Sequence, residues 1–443
     1  MPSQLNTTTM KTPTPTPPPF GKLAPWAEPG WSHGIPSPYY NASHAKLRDA
    51  LRSYVDTHIL PDSLDWESKG ETPREEQLRW AQSGFPFADV PAKYRPKHLP
   101  PGPAGIPIDE LDVFHLLIST DETSRVEGGV TTGLGGASVI GIPPVIHYGT
   151  EEQKAAWLPG LFDFSTSFCL GITEPSGGSD VANLRTTATL SPDAAHYTVS
   201  GSKKWITGAP WASHMTTAVR TGGPGSGAAG LSVLVIPLAS PGVTVTRIAN
   251  SGQAAGGASM VDLDDVRVPV SHRLGAEGGG FKIIMTNFNR ERYIMAVGCN
   301  RKARTCLSAA LEYACERETF GKPLLANQVI AAKFATLARQ IEAHWAWLES
   351  VAYAVQVSPR GWQDAEVAGS IALAKVQGGR MLEEACREAQ QVFGGRGYQR
   401  GNVVEQISRD LRMMVVGGGS EEIIADLAVR QEVGIARRRG WKL

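Results

Sequence analysis

Apolar positions recur with two different periods along the chain, and the period changes twice. Over 41–164 the spacing is helical. Ala45, Leu47, Leu51, Tyr54, Val55 and Ile59 share one face of a helix that Pro61 stops. The same reading predicts a helix over 75–82. A longer one fits 108–126, with Leu111, Phe114, Leu117 and Ile118 in a stripe. Thr150, ahead of Glu151 and Glu152, reads as the N-cap of a further helix. The small-residue stretch 128–141 fits either a close-packed buried helix or a loop. From Ser165 to about Leu274 the period becomes two. Tyr197-Thr198-Val199, 204–207, 231–236 and 243–248 are β-rich runs bounded by Gly and Pro. Gly-rich 222–230 reads as a flexible loop. From Gly280 the spacing is helical again, with long helices predicted over 281–316, 323–357, 362–393 and 402–434.

These changes predict an α+β chain in three parts: a helical domain over 39–164, a β-barrel-like domain over 165–278 and a four-helix bundle over 279–443. Residues 1–38 precede them. The first 19 are Thr/Pro-rich, end in Pro17-Pro18-Pro19 and lack both the apolar core of a secretory signal and any arginine. The whole of 1–38 is expected to be a disordered or polyproline tail.

Composition narrows the function. Lys+Arg and Asp+Glu both total 43, so a basic nucleic-acid footprint is not expected. No apolar run approaches the roughly 18 residues that span a bilayer. An intracellular, soluble protein is expected, with the compartment open. Only Lys442-Leu443 of the C-terminus matches a peroxisomal S-K-L address. The five cysteines (Cys169, Cys299, Cys306, Cys315 and Cys386) have neither C-x-x-C nor zinc spacing, so reduced thiols and no metal are expected.

Five segments then stand in a telling order: Thr173-Glu174-Pro175-Ser176-Gly177-Gly178-Ser179-Asp180; Gly201-Ser202-Lys203-Lys204-Trp205-Ile206-Thr207; Asp265-Val266-Arg267-Val268-Pro269; Arg317-Glu318-Thr319-Phe320-Gly321-Lys322 with Asn327-Gln328; and Gln391-Val392-Phe393-Gly394-Gly395-Arg396-Gly397-Tyr398 with Arg409-Asp410. Together they resemble the motifs of acyl-CoA dehydrogenases over about residues 40–435. The residue chemistry suits a flavin. Gly177 and Gly178 permit close backbone approach. Trp205 offers a flat face, and Thr207 a hydroxyl. Arg317 and Gln328 can bond a pyrophosphate or adenine edge, on which Phe320 can stack. Taken singly, these residues also fit a hairpin turn, a core Trp on a half-buried strand and a solvated helix-end charge.

The resemblance implies FAD held by Leu170, Ile172, Thr173, Gly178, Ser179, Trp205, Ile206 and Thr207. It also implies that Arg317, Phe320, Gln328, Gln391, Gly394, Gly395, Gly419, Ser420 and Glu422 contact FAD, several of them on a neighbouring subunit, and hence a homo-oligomer (dimer or tetramer). Ser179, Asn289 and Arg292 are implied at the substrate.

The family's commonest base, a Glu near the C-terminus, is missing. Counting from Arg409-Asp410 puts Gly418 in that place, followed by Gly419 and Ser420. The isovaleryl and long-chain branches carry the base instead in an early helix of the bundle, and Glu291-Arg292-Tyr293 falls there. On a helical wheel Glu291 and Arg292 flank the stripe of Phe281, Ile284, Met285, Phe288 and Met295. A charge beside a core is costly unless paired or used. Glu291 is therefore the expected base, with Glu421 and Glu422 as second choices. The implied reaction is α,β-dehydrogenation of acyl-CoA to trans-2-enoyl-CoA, in fatty acid metabolism. Glu291 takes the α-proton and flavin N5 the β-hydride. A carrier-protein thioester as substrate, oxygen or an electron-transferring flavoprotein as acceptor, and a degenerate flavin-binding protein stay open.

Overall fold

The computed structural model describes residues 20–135 and 137–442. The expected tail over 1–19 lies outside these residues. Among the described residues, eight α-helices form the first part: α1 (Ala42–His58), α2 (Ser63–Lys69), α3 (Arg74–Ser83), α4 (Val113–Thr123), α5 (Val130–Gly135), α6 (Ser138–Gly141), α7 (Pro143–Tyr148) and α8 (Glu151–Trp157). Asn41, Asp112 and Thr150 each close a capping box, so three helix starts are fixed by local hydrogen bonds. The ambiguous glycine stretch contributes α5 and α6. A Cβ on Gly133 would lie 2.5 Å from the Ala255 carbonyl oxygen, and one on Gly141 would lie 2.8 Å from that of Cys169. Glycine lets these short helices press against the backbone of the middle domain.

Residues 20–38 correct the expected boundary of the tail. Glu28 is buried and bonds both Arg52 of α1 (2.8 Å) and Arg301 (2.8 Å), while Phe20 lies under the Arg48 and Arg52 guanidiniums. The sequence reading counted prolines and missed these partners, which are up to 273 residues away.

The middle domain has strands β1 (Phe168–Gly171), β2 (Thr187–Leu190), β3 (His196–Ile206), β4 (His214–Arg220), β5 (Leu231–Pro237), β6 (Val243–Arg247), β7 (Ser259–Pro269) and β8 (Arg273–Leu274). They form one mixed sheet in the order β6-β7-β3-β2-β4-β5-β8, with β1 parallel to β4. The ends, β6 and β8, do not pair, so the sheet is open rather than the barrel expected. One face packs on the N-terminal helices: Phe168, Ile172, Val233 and Val235 share a core with Val145, Leu161 and Phe162.

The C-terminal part contains α9 (Gly280–Glu316), a two-stranded hairpin β9 (Glu318–Thr319) and β10 (Lys322–Pro323), α10 (Gln328–Val357), α11 (Ala365–Phe393), α12 (Val403–Val416) and α13 (Glu421–Arg438). The predicted fourth helix is thus two, broken at 417–420. Gly418 and Gly419 have φ of 66° and 109°, which end a right-handed helix. Helix α9 links the domains. Its first turns, through Ile283 and Ile284, join the core beneath the sheet. Its later turns, through Ala303, Leu307 and Leu311, enter the bundle core. Burying each such aliphatic side chain contributes roughly 1.5–3 kcal/mol. Arg301, in the middle of α9, pairs with Asp121 of α4.

Candidate active site

Glu291 sits three turns into α9, where the helix leaves the sheet for the bundle. Asn287, one turn earlier, donates its Nδ2 hydrogens to Glu291 Oε1 at 2.5 Å and to the Ile140 carbonyl of α6 at 3.2 Å. Burial pushes the Glu291 carboxyl up to about 8, against the pull of the neighbouring Arg292 and Arg290 guanidiniums and the Asn287 bond. A carboxyl in that range exchanges protons near neutrality.

Arg292 is buried and spans the gap to the broken helix. Its Nε donates to the Gly418 carbonyl at 3.0 Å, and its guanidinium lies over Phe288. The two places where this sequence could carry a base, 291 and 418, are therefore neighbours in space although 127 positions apart in number. Lys375 of α11, buried, fixes the same turn by donating to the carbonyls of Val415 and Gly419. The sequence reading missed it. The only signal was a lysine at i+4 from Ile371 on an otherwise apolar face.

The second-choice bases do not come to this point. Glu421 pairs with Arg380 at 3.1 Å, and Glu422 is exposed. Asn289 donates to the Trp362 carbonyl at 3.0 Å.

The sheet supplies the other wall. A narrow apolar cavity beside Asn287 is lined by Leu170, Ile172, Thr216, Val233, Ile283 and Phe288. Beyond Ile172, the loop of Thr173 to Ser179 is pinned to β3. Lys204 N–H donates to the Thr173 carbonyl at 2.8 Å, and buried Lys203 donates to the Ile172 carbonyl at 3.2 Å and to Glu174 at 2.9 Å. Glu174 also accepts from the Arg185 and Thr186 N–H groups. Burial alone would raise the Glu174 carboxyl, but Lys203 and these donors hold it down at about 2. The Glu174–Lys203 pair, unassigned in the sequence reading, shapes this loop. The next residue in β3, Trp205, has φ of 64° at a shift of register and is 52% exposed. A bulge of this kind re-aims a side chain. The structure thus brings Leu170 and Ile172 together with Asn287 around the cavity, while Thr173 and Trp205 lie in the adjoining loop and strand. Ile206 is buried, Thr207 is half-buried, and Gly178 and Ser179 are exposed.

Asp410 accepts from Gly128 N–H and Gln253 N–H, both at 2.7 Å, and so ties all three domains behind this wall.

The remaining motif residues lie elsewhere. Arg317 follows the far end of α9, about 39 Å along the axis from Glu291 at 1.5 Å per residue. Phe320 tips the β9–β10 hairpin, fully exposed with φ of 53°. Tyr313 stacks on Phe393 at 4.8 Å, which brings Gln391, Gly394 and Gly395 to the same end of the bundle. Within one chain this group, with Gln328, does not meet Glu291.

Comparison with known proteins gives the arrangement a family. Three domain models match in order: the acyl-CoA dehydrogenase N-terminal domain over 41–165, the middle domain over 169–266 and the C-terminal domain over 278–432. The chain is 39% identical to the acyl-CoA dehydrogenase apdG of Emericella nidulans over 432 residues, 95% of this chain and 97% of that protein. It is 41% identical to the acyl-CoA dehydrogenase AFT10-1 of Alternaria alternata over 93% of this chain and 96% of that protein. The crystal structure of a probable acyl-CoA dehydrogenase from Mycobacterium abscessus superposes with a TM-score of 0.80 at 32% identity, covering 89% of this chain and all of the other. Sequence, domain order and fold agree: this chain belongs to the acyl-CoA dehydrogenase family, FAD-dependent oxidoreductases that act on CH–CH bonds.

Proposed function

We propose that this chain converts an acyl-CoA to its trans-2-enoyl thioester, with Glu291 as the base that removes the α-proton. The observation that carries this reading is the carboxyl of Glu291. It is raised to about 8 beside a cavity walled by the flavin-motif strands, while Gly418 leaves the other base position empty of a side chain. A base of this kind is strong enough to take a proton once ionised, and ionises within reach of neutral pH.

The residues fit FAD by their own geometry. An added Cβ on Gly177 or Gly395 would meet nothing within 4 Å, and neither has a left-handed backbone, so the chain itself does not call for glycine there. Close approach of a ligand to the backbone does. Trp205 presents a half-exposed indole on a strained backbone, a feature that bound ligands commonly justify. Leu170, Ile172, Thr173, Gly178, Ser179 and Trp205 to Thr207 would hold the flavin end. When bound, FAD supplies the two-electron acceptor for the hydrogen that leaves the β-carbon. Arg292 would offer the thioester a fixed positive group, and Phe288, Ile283 and Ile284 form the apolar wall beside Asn287.

Arg317, Phe320, Gln328, Gln391, Gly394 and Gly395 are too far from Glu291 to serve its flavin, so we assign them to the dinucleotide of a second protomer. Fully exposed Phe320 and Tyr398, 93% exposed, support that pairing. An electron-transferring flavoprotein is the acceptor in this reading.

Anaerobic titration of the flavin-loaded protein with a panel of acyl-CoA esters tests the proposal. Bleaching of the flavin by at least one ester is expected, and its loss in Glu291→Gln with flavin retained. Undiminished bleaching in that variant removes Glu291 from the reaction. Peroxide formed without an added acceptor would replace the flavoprotein by oxygen.

A further inference from the structure

Asn287 is more than a neighbour of the base. Its side-chain nitrogen lies 2.5 Å from a carboxylate oxygen of Glu291 and 3.2 Å from the carbonyl of Ile140. Both are acceptors, so the amide is oriented one way only. Turned over, its oxygen would face two other oxygens. Both Nδ2 hydrogens are used, one on the base and one on the backbone of α6. The first is a local bond across one helical turn, from i to i+4. The second is long-range, spanning 147 positions, and fixes the amide to a different domain. The backbone on that side is itself immobilised, because Gly141, next to Ile140, presses on Cys169 of β1. Asn287 also lines the apolar cavity.

We propose that Asn287 is a positioning residue for the reaction assigned above: it clamps the Glu291 carboxylate between α9 and α6, fixes its orientation toward the substrate and favours its ionised form. This rests on Glu291 being the base.

The clamp acts on ionisation because a donor to a carboxylate stabilises the charge. Few other groups compete. On α9 itself Arg290 and Arg292 attract the carboxylate. Arg292 is directed at the Gly418 carbonyl, and Arg290 is bonded to Asp89 of the segment that follows α3. His147 of α7 lies near Asp89, Arg290 and Lys154, and burial holds it toward its neutral form; Tyr148, also of α7, is bonded to Thr286 at 3.0 Å. Helix α6, which supplies Ile140, carries no titratable side chain. Asn287 is the uncharged group bonded directly to the base.

The test uses the flavin-loaded enzyme and two variants of similar volume, Asn287→Leu and Asn287→Asp. The leucine cannot donate to the carboxylate, and the aspartate sets a second carboxyl against it, so that the pair holds one proton between them and gives it up only at higher pH. In Asn287→Leu, kcat/KM at neutral pH should fall on the order of tenfold to a hundredfold, the range of a hydrogen bond to a charged group. The acid limb of the pH profile should move up by about one unit. Asn287→Asp should move it further. Flavin content should be unchanged in both. A purely structural asparagine would lower the amount of folded enzyme without moving the limb. If Asn287→Leu does not fold, Asn287→Asp, which keeps the shape, carries the test. A limb that stays in place in the variant that folds overturns the proposal, provided Glu291→Gln is inactive. Full turnover in Glu291→Gln overturns the base and this clamp together.

Discussion

Arg292 donates its Nε hydrogen to the carbonyl of Gly418 at 3.0 Å, and this bond joins the residue after the proposed base to the position at which the resemblance places the commoner base. The turn that accepts it is built from Gly417, Gly418 and Gly419. Gly418 has φ of 66°, and a Cβ there would lie 3.0 Å from Met295 Sδ. Restoring a base at this position should therefore fail. Gly418→Glu is expected to lower stability by about 1–3 kcal/mol through backbone strain and to reduce turnover. Thermal melting together with steady-state rates checks this, and a stable, fully active variant would contradict the geometry.

As the proposed base, Glu291 should set the pH dependence of the free enzyme. Its carboxyl is held at about 8, so kcat/KM should rise with pH through the neutral range and level off above that value. Stability should run the opposite way. A carboxyl whose pKa is raised on folding contributes most below about 4.5, and that contribution is lost as pH rises through about 8. Glu291→Gln removes the cost of ionisation. It should melt higher than the parent at pH 8–9, by on the order of a few kcal/mol, with no such gain at pH 5. Parallel melts at the two pH values decide it.

Lys203 and Glu174 form a buried pair that holds the glycine loop on β3. Removing one partner leaves the other charge buried, at a cost of roughly 3–5 kcal/mol. Lys203→Met should thus be much less stable and should lose flavin as the loop detaches. The ratio of flavin absorbance to protein, read beside a melting curve, measures both. Retention of full flavin content would show that the loop needs no such anchor.

Glu28 gives the N-terminal segment an acid-sensitive latch. Burial would raise its carboxyl, but Arg301 and Arg52 hold it at about 2. A depressed carboxyl stabilises the fold above its ordinary value near 4.5, and that stability is lost as pH falls from there toward 2. Glu28→Gln should be destabilised at pH 7 by about 3–5 kcal/mol, because it leaves two buried guanidiniums short of charge. The gap between the two proteins should close as the acid limit is approached, which denaturant titrations at several pH values would reveal.

The order helical, β, helical was legible in the change of period at Ser165 and again near Gly280, since burial of a face imposes its spacing on the residues themselves. Helix starts at Asn41, Asp112 and Thr150 follow from side chains within three residues of the backbone they cap. The break at 417–420 escaped the pattern because apolar spacing runs on across it, and only the glycine conformations interrupt the helix. Residues 20–38 read as tail for a related reason: Glu28 and Phe20 are held by partners remote in number, and proline content says nothing of them.

The sequence by itself determined the types of chemistry present: a carboxylate on the flank of an apolar helix, glycine loops, an indole between them and no side chain at 418. Each is a property of one residue or of a short stretch. Only the tertiary structure decided which of them meet. It put Asn287 between Glu291 and Ile140, Lys375 under the Gly417–Gly419 turn, and Arg317 and Phe320 at the other end of α9. A hydrogen bond and a desolvated charge depend on distances of a few ångströms between remote segments, and those distances exist only once the sheet, the short helices and the bundle have packed together.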